Sequence, residues 1–181
     1  MSSETAERLL EAGREELRAV GPETLTIRTV ALRAGVSSAT AYTYLASKHR
    51  LYAELFWRFL VEDSPKNSAQ WEPEGDDPVE RVRSVTRNLS RRLASAPELA
   101  AAVTPALLGA DPEVDELRLR IGAELVRRFR AAVGDADPAL LEALGLAFSG
   151  ALLQAGMGLM TYTEMGERLD AVVAVIMRGN A

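Results

Sequence analysis

The chain has no cysteine and a single histidine, His49. Disulfide frameworks and thiolate metal sites are therefore excluded, and an imidazole cluster has no second member. Aromatic residues make up only 6% of the 181 positions, and neither like-charge runs nor low-complexity tracts occur. The N-terminal stretch Met1 to Glu16 has no apolar segment of the kind that directs secretion and carries several glutamates, so a cytoplasmic protein is expected. A phosphate-cradling glycine loop and a nucleophile elbow are also missing, which argues against an enzyme: no catalytic residue, metal or cofactor is assigned. What is present is an apolar fraction of 48% with 26% charged residues, a balance that suits a globular fold with a buried core.

The net charge of -5 hides an asymmetry. Residues 1–50 sum to +1 and residues 51–181 to -6. Between Thr24 and Ala53 there is no Asp or Glu, while Arg28, Arg33, Lys48 and Arg50 contribute four positive charges. Such a segment can present a cationic footprint to phosphates.

Periodicity predicts helix throughout. Leu9, Leu10, Gly13, Leu17 and Val20 share one face of a first helix over about 3–20, stopped by Gly21-Pro22. Thr26 caps a short second helix ended by Gly35; Ser37 caps a third over 38–44, and Ser47 a fourth from Lys48 past Trp57 to Val61. The polar stretch 62–78 around Trp71 reads as a loop. Asp77-Pro78, Asp111-Pro112 and Asp137-Pro138 each place an N-cap before a proline at the first helical position. Further helices are predicted at 78–95, 98–108 with a kink at Pro105, 112–133, 138–162 and 165–178, the last closed by Gly179. The stretch Ala143 to Thr163 has no charged residue. It is long enough to raise a membrane span, but Gly145, Gly150, Gly156 and Gly158 with Ser149 and Gln154 make it weakly hydrophobic and favour a helix buried from several sides in a soluble dimer, and no membrane partner is expected.

The segment Thr26 to Lys48 has the parts of a helix-turn-helix: two short helices, a glycine turn, and small Ala31, Ala34 and Ala41 where they must cross closely. Its second helix is uncharged and rich in hydroxyls. Ser38, Thr40 and Thr43 can reach base edges, Ala39 can meet a thymine methyl, and Tyr42 and Tyr44 can donate to phosphate oxygens. Lys48, on the first turn of the fourth helix, and Thr26 and Arg28, at the start of the second, sit where N-H groups and a cation converge on one anion.

Residues from about Leu9 to Phe56 resemble the DNA-binding domain of the TetR family of regulators, on Thr26, Ala31, the run Ala34-Gly35-Val36-Ser37, Thr40, Tyr42, Tyr44, Ser47, Lys48 and Leu51. Ala39, Ala41 and Leu45 depart from the residues common there. The resemblance implies a transcriptional regulator, a homodimer on palindromic double-stranded operator DNA, with a C-terminal domain that binds a small effector and loosens its grip. Carried over by position, Tyr42, Tyr44 and Lys48 touch phosphates, while Arg28, Ser38, Ala39, Thr40 and Thr43 approach bases. The expected fold is all-α: a three-helix head over 1–50, joined to a larger helical regulatory and dimerisation domain over 51–181. The two C-terminal helices of each subunit would form a four-helix interface. An apolar or amphipathic effector is expected, with no lining residue assigned.

Overall fold

The computed structural model describes residues 3–61 and 73–178, and within them every regular element is a helix. The helices are α1 (Ser3–Thr24), α2 (Ile27–Arg33), α3 (Ser38–Leu45), α4 (Lys48–Val61), α5 (Pro78–Ala94), α6 (Pro97–Leu108), α7 (Asp115–Val133), α8 (Pro138–Gly156) and α9 (Tyr162–Met177). A single 3-10 turn, Pro112–Val114, precedes α7. The loop predicted around Trp71 and the glycine cap at Gly179 lie outside the described residues.

Two compact units emerge. The first comprises Met1–Asp63 together with Pro97–Arg120, the second Ser64–Ala96 and Ile121–Ala181. The first thus reaches past the boundary read at residue 50 and takes in α4, α6 and the start of α7. The reason lies in its core: Leu9 and Leu17 of α1, Val30 of α2, Ala41 of α3 and Leu51 of α4 bury in one cluster with Ala102 and Ala106 of α6. A second small cluster joins Ala53 to Val114 and Leu117, with Trp57 and Leu107 against it. The Arg120 guanidinium lies 4.4 Å from the Trp57 ring centre, a cation-π contact inside the same unit.

Local chemistry sets most helix ends. Thr26 and Ser37 accept the N3 backbone N-H of α2 and α3, and Asp77 does the same for α5. Gly21 (φ 74°, ψ 170°) breaks α1, as the sequence predicted, but Pro22 at once starts another turn that runs to Thr24. The Asp111-Pro112 start gives a 3-10 turn before α7 rather than one helix over 112–133. Pro105 does not end α6, which continues to Leu108.

The largest correction concerns 138–162, which is not one helix. Gly158 (φ 75°) closes α8, with the Gly158 and Leu159 N-H groups donating to the Ala155 and Gln154 carbonyls, each at 3.0 Å. Thr161 and Glu164 then form a reciprocal capping box that starts α9 three residues earlier than predicted. In the second unit α9 packs along both α5 and α8, and the Phe129 and Phe148 rings meet edge-on at 6.3 Å. By length and composition α8 could cross a membrane; here it packs along one face, with Leu141, Leu144 and Phe148 buried, and leaves an apolar residue, Leu146, 68% exposed. Within a single chain its burial runs along that one face.

Candidate nucleic-acid interface

In α3 burial follows the helical period. Ala41 and Leu45 are buried, and Ser38, Ala39, Tyr42 and Thr43 are exposed on the opposite face. The face is short, free of charge and small enough in side-chain volume for close approach to a surface. Thr40 sits at its edge, half-buried, its hydroxyl 2.8 Å from that of Ser37. The Thr43 hydroxyl donates to the Ala39 carbonyl at 3.0 Å. Tyr44 is half-buried and packs on the core of the first unit, so it is a less open group than Tyr42.

The turn between α2 and α3 is built from Gly35 (φ 65°), whose N-H donates to Leu32, and Val36, whose N-H donates to the Ala31 carbonyl at 3.0 Å. Thr26 and Thr29 satisfy each other at the start of α2, the Thr29 N-H donating to Thr26 Oγ1 at 3.1 Å and the Thr26 N-H to Thr29 Oγ1 at 3.2 Å. Thr26 is thereby committed to capping at an exposed position.

The four cations behave differently from the sequence reading, because a stretch free of acids along the chain is not free of them in space. Arg33 is held by Glu16, with Nε donating at 2.8 Å and a second nitrogen at 2.7 Å, and Glu15 lies 3.6 Å away. The Arg33 hydrogen bond pulls the Glu16 carboxyl below its ordinary value. Arg50 donates to the Glu113 carbonyl at 2.9 Å, with the Glu113 carboxylate at 3.8 Å. Only two of the four therefore keep an unneutralised charge. Arg28 is exposed with no hydrogen bond or ion pair to any described residue. Lys48 donates to the Pro22 carbonyl at 3.0 Å and to that of Glu23 at 3.5 Å. Those carbonyls offset the unfavourable placing of a cation on the first turn of α4 without cancelling its charge.

The break at Gly21 therefore has a use. It frees the Pro22 carbonyl, which accepts both from Lys48 and, at 2.7 Å, from the Tyr52 hydroxyl. Burial, with Glu23 nearby, pushes the Tyr52 phenol far above its ordinary value, so it stays a donor. At the start of α4, Ser47 accepts the Arg50 N-H at 3.0 Å and donates to Asp111 at 2.6 Å. The Ser47 hydrogen bond, and then the Glu113 N-H, hold the Asp111 carboxyl below its ordinary value. His49 lies 3.8 Å from the same carboxylate rather than free in solvent. Sequence reasoning missed Asp111 and Glu113 as neighbours of α4, since nothing local marks a contact 64 residues distant.

Two capped helices crossing at a glycine turn, with a third helix supporting them, define a helix-turn-helix DNA-binding unit. Residues 9–55 match the family described as bacterial regulatory proteins, tetR family. Over 178 residues the chain is 46% identical to an uncharacterized HTH-type transcriptional regulator of Mycobacterium bovis, covering 97% of this chain and 81% of the relative. The chain belongs to the TetR family of transcriptional regulators. Among solved structures it is similar to a TetR transcriptional regulator from Rhodococcus sp. RHA1, with a TM-score of 0.76 at 20% identity over 96% of this chain and 94% of that one. It is also similar to Thermus thermophilus FadR, a TetR-family transcriptional repressor in complex with lauroyl-CoA, with a TM-score of 0.68 at 22% identity over 93% of each chain. These two likenesses establish the all-α fold.

Proposed function

We propose that this regulator is a cytoplasmic homodimeric repressor that reads a palindromic operator through α3 and releases it when a small apolar or amphipathic molecule binds the helical body. In this division of labour residues 1–50 read DNA, and residues 51–181 carry the dimer and effector contacts. The observation that carries the reading is the exposed, uncharged α3 face of Ser38, Ala39, Tyr42 and Thr43, with the unpaired Arg28 on the neighbouring helix.

On DNA, Arg28, Ser38, Ala39, Thr40 and Thr43 approach base edges, and Tyr42, Tyr44 and Lys48 meet phosphates, with Thr26 fixing the start of α2 beside them. Lys48 meets a phosphate while still holding the end of α1. Dimerisation is supported by apolar side chains left uncovered on the last two helices and their turn: Leu146, Met157, Leu159 and Val175 are each more than half exposed, and Val172 adjoins them. Two copies of this surface would meet about a two-fold axis.

The effector must bind one arrangement of the paired heads better than the other, and DNA must then weaken effector binding by the same factor. The lauroyl-CoA bound to the Thermus thermophilus protein sets the first class of molecule to try. The test is selection of bound fragments from random-sequence DNA, followed by effector titration with and without the selected operator. A palindromic site, and a ligand whose affinity falls when operator is present, are expected. Binding without sequence preference, or a ligand that binds equally in both cases, would overturn the corresponding half of the proposal.

A further inference from the structure

Helices α5 and α9 run antiparallel, with Arg87 opposite Asp170 and Ser90 opposite Gly166. Between them lies a groove of about 470 Å³, lined on the α5 side by Ser84, Arg87, Ser90 and Arg91 and on the α9 side by Thr163, Gly166, Glu167 and Asp170. One wall is thus a cationic rail and the other an anionic rail. The first rung between them is closed: Arg87 Nε donates to Asp170 Oδ2 at 2.7 Å, and a second nitrogen lies 2.6 Å from the same oxygen.

Farther along the groove Arg91 and Glu167 line the two walls and form an open rung. Neither makes an ion pair with any described residue, and the one side-chain hydrogen bond of Arg91 to a described residue is a long contact, 3.4 Å, to the Arg87 carbonyl. The floor is also unfinished. Ser90 is 2% exposed, yet its hydroxyl has no hydrogen-bond partner, and neither does the buried Asp170 Oδ1. Gly166 lets α9 approach α5 closely over Ser90, because a Cβ there would stand 3.2 Å from Ser90 Cβ and 3.4 Å from its Oγ. Glu74 closes one end, its N-H held by Ser84 Oγ at 2.9 Å.

We propose that this groove is a binding site for a small zwitterion of the α-amino-acid class. Its carboxylate pairs with Arg91, its ammonium with Glu167 and the free oxygen of Asp170, and the Ser90 hydroxyl meets it at the floor. A simple anion would face three carboxylates, and a simple cation two guanidinium groups. A molecule carrying both charges a few ångströms apart completes the open rung. The proposal stands apart from the operator and effector readings above. Val172 and Val175, proposed for the dimer, lie on a different side of α9 from Thr163, Gly166, Glu167 and Asp170 by helical period, so a dimer leaves the groove accessible.

The test uses the full chain in calorimetric titrations with each of the proteinogenic L-amino acids. At least one should bind saturably at about 1 mM or tighter. Its N-acetyl and carboxamide derivatives, each lacking one charge, should bind at least about tenfold more weakly, the size of one lost charge-assisted hydrogen bond. Arg91→Ala and Glu167→Gln, both at exposed positions, should each weaken binding about tenfold with an unchanged melting temperature, and Ser90→Ala should weaken it with folding intact. Operator binding without amino acid should match the unsubstituted protein in all three variants, which separates failure here from failure of the DNA reading. No saturable binding by any amino acid, or binding that survives both charge substitutions, would overturn the proposal.

Discussion

Ser47 offers a test of whether the start of α4 is held by α4 alone or by the turn before α7. Its hydroxyl does two things at once: it caps α4 by accepting the Arg50 N-H at 3.0 Å, and it donates to Asp111 Oδ2 at 2.6 Å. Removing the cap costs about 1 kcal/mol. The bond to a carboxylate is worth about 1.5 to 3 kcal/mol when well formed, and the low end applies because the Asp111 side chain keeps 16% of its exposure and can rehydrate. Ser47→Ala should therefore destabilise by about 2 to 3 kcal/mol. Asp111→Ala loses the same bond and its acceptance of the Glu113 N-H at 3.0 Å, a further cap, and should cost a similar amount. Because the shared bond is counted in both, the double substitution should cost about 3 to 4 kcal/mol, leaving a coupling of about 1 to 2 kcal/mol. Urea unfolding of the four proteins followed by circular dichroism gives the cycle. Additive effects within about 0.5 kcal/mol would refute the shared bond, and a negligible effect of Ser47→Ala would refute the cap as well.

Arg28→Ala should relax preference at particular operator base pairs by about 1 to 3 kcal/mol. Lys48→Ala should instead weaken all sequences alike and lower the salt slope by about one unit, as titrations at several salt concentrations would show; an equal loss on every sequence for Arg28→Ala would reverse that assignment. Leu146→Glu with Val175→Glu should yield a monomer by light scattering, since carboxylates cannot be buried unpaired at an apolar contact. The folded-state carboxyls of Asp111, Glu16 and Glu124 titrate below their ordinary values, Glu124 against its own desolvation and through its bonds to Arg127 and Arg128. Their stabilisation is accordingly present near neutral pH and is lost as pH falls through those lowered values. Melting temperature should drop from about pH 5 towards pH 3, with a shallower slope in Asp111→Asn; an unaltered slope in that variant would show that Asp111 does not contribute.

Features that depend on neighbours in sequence were legible. Thr26, Ser37, Asp77 and Asp137 cap where they were expected, because a cap acts within three residues of itself. The α3 face could be drawn from period alone. The start of α9 is equally local, Thr161 three residues before Glu164, but the uncharged composition around it reads as a continuation of the preceding helix to 162. The partners of Arg33 and Arg50 were of another kind. Glu16 lies 17 residues from Arg33 and Glu113 lies 63 from Arg50, and only the packing of α2 on α1, and of α4 on the turn before α7, brings them together. A charge pattern read along the chain gave four cations where the fold leaves two with unneutralised charge. The same limit hid the share of α6 in the first core, since Ala102 and Ala106 look like ordinary small helix residues until Leu9 and Leu51 are seen against them.

That share has a consequence for how the protein can be made and divided. The unit holding the DNA-reading helices is assembled from two stretches of chain separated by more than thirty residues, so a single cut cannot release it whole. On the ribosome its core stays unfinished until the residues of α6 have emerged, and the early helices wait with an apolar flank uncovered. A fragment ending at residue 50 would lack Leu51, Tyr52, Ala102 and Ala106, and with them the donor from Tyr52 that closes the carbonyl at Pro22. Grafting this specificity onto another regulator would therefore mean exchanging the exposed side chains of α3 and leaving the helices beneath them in place.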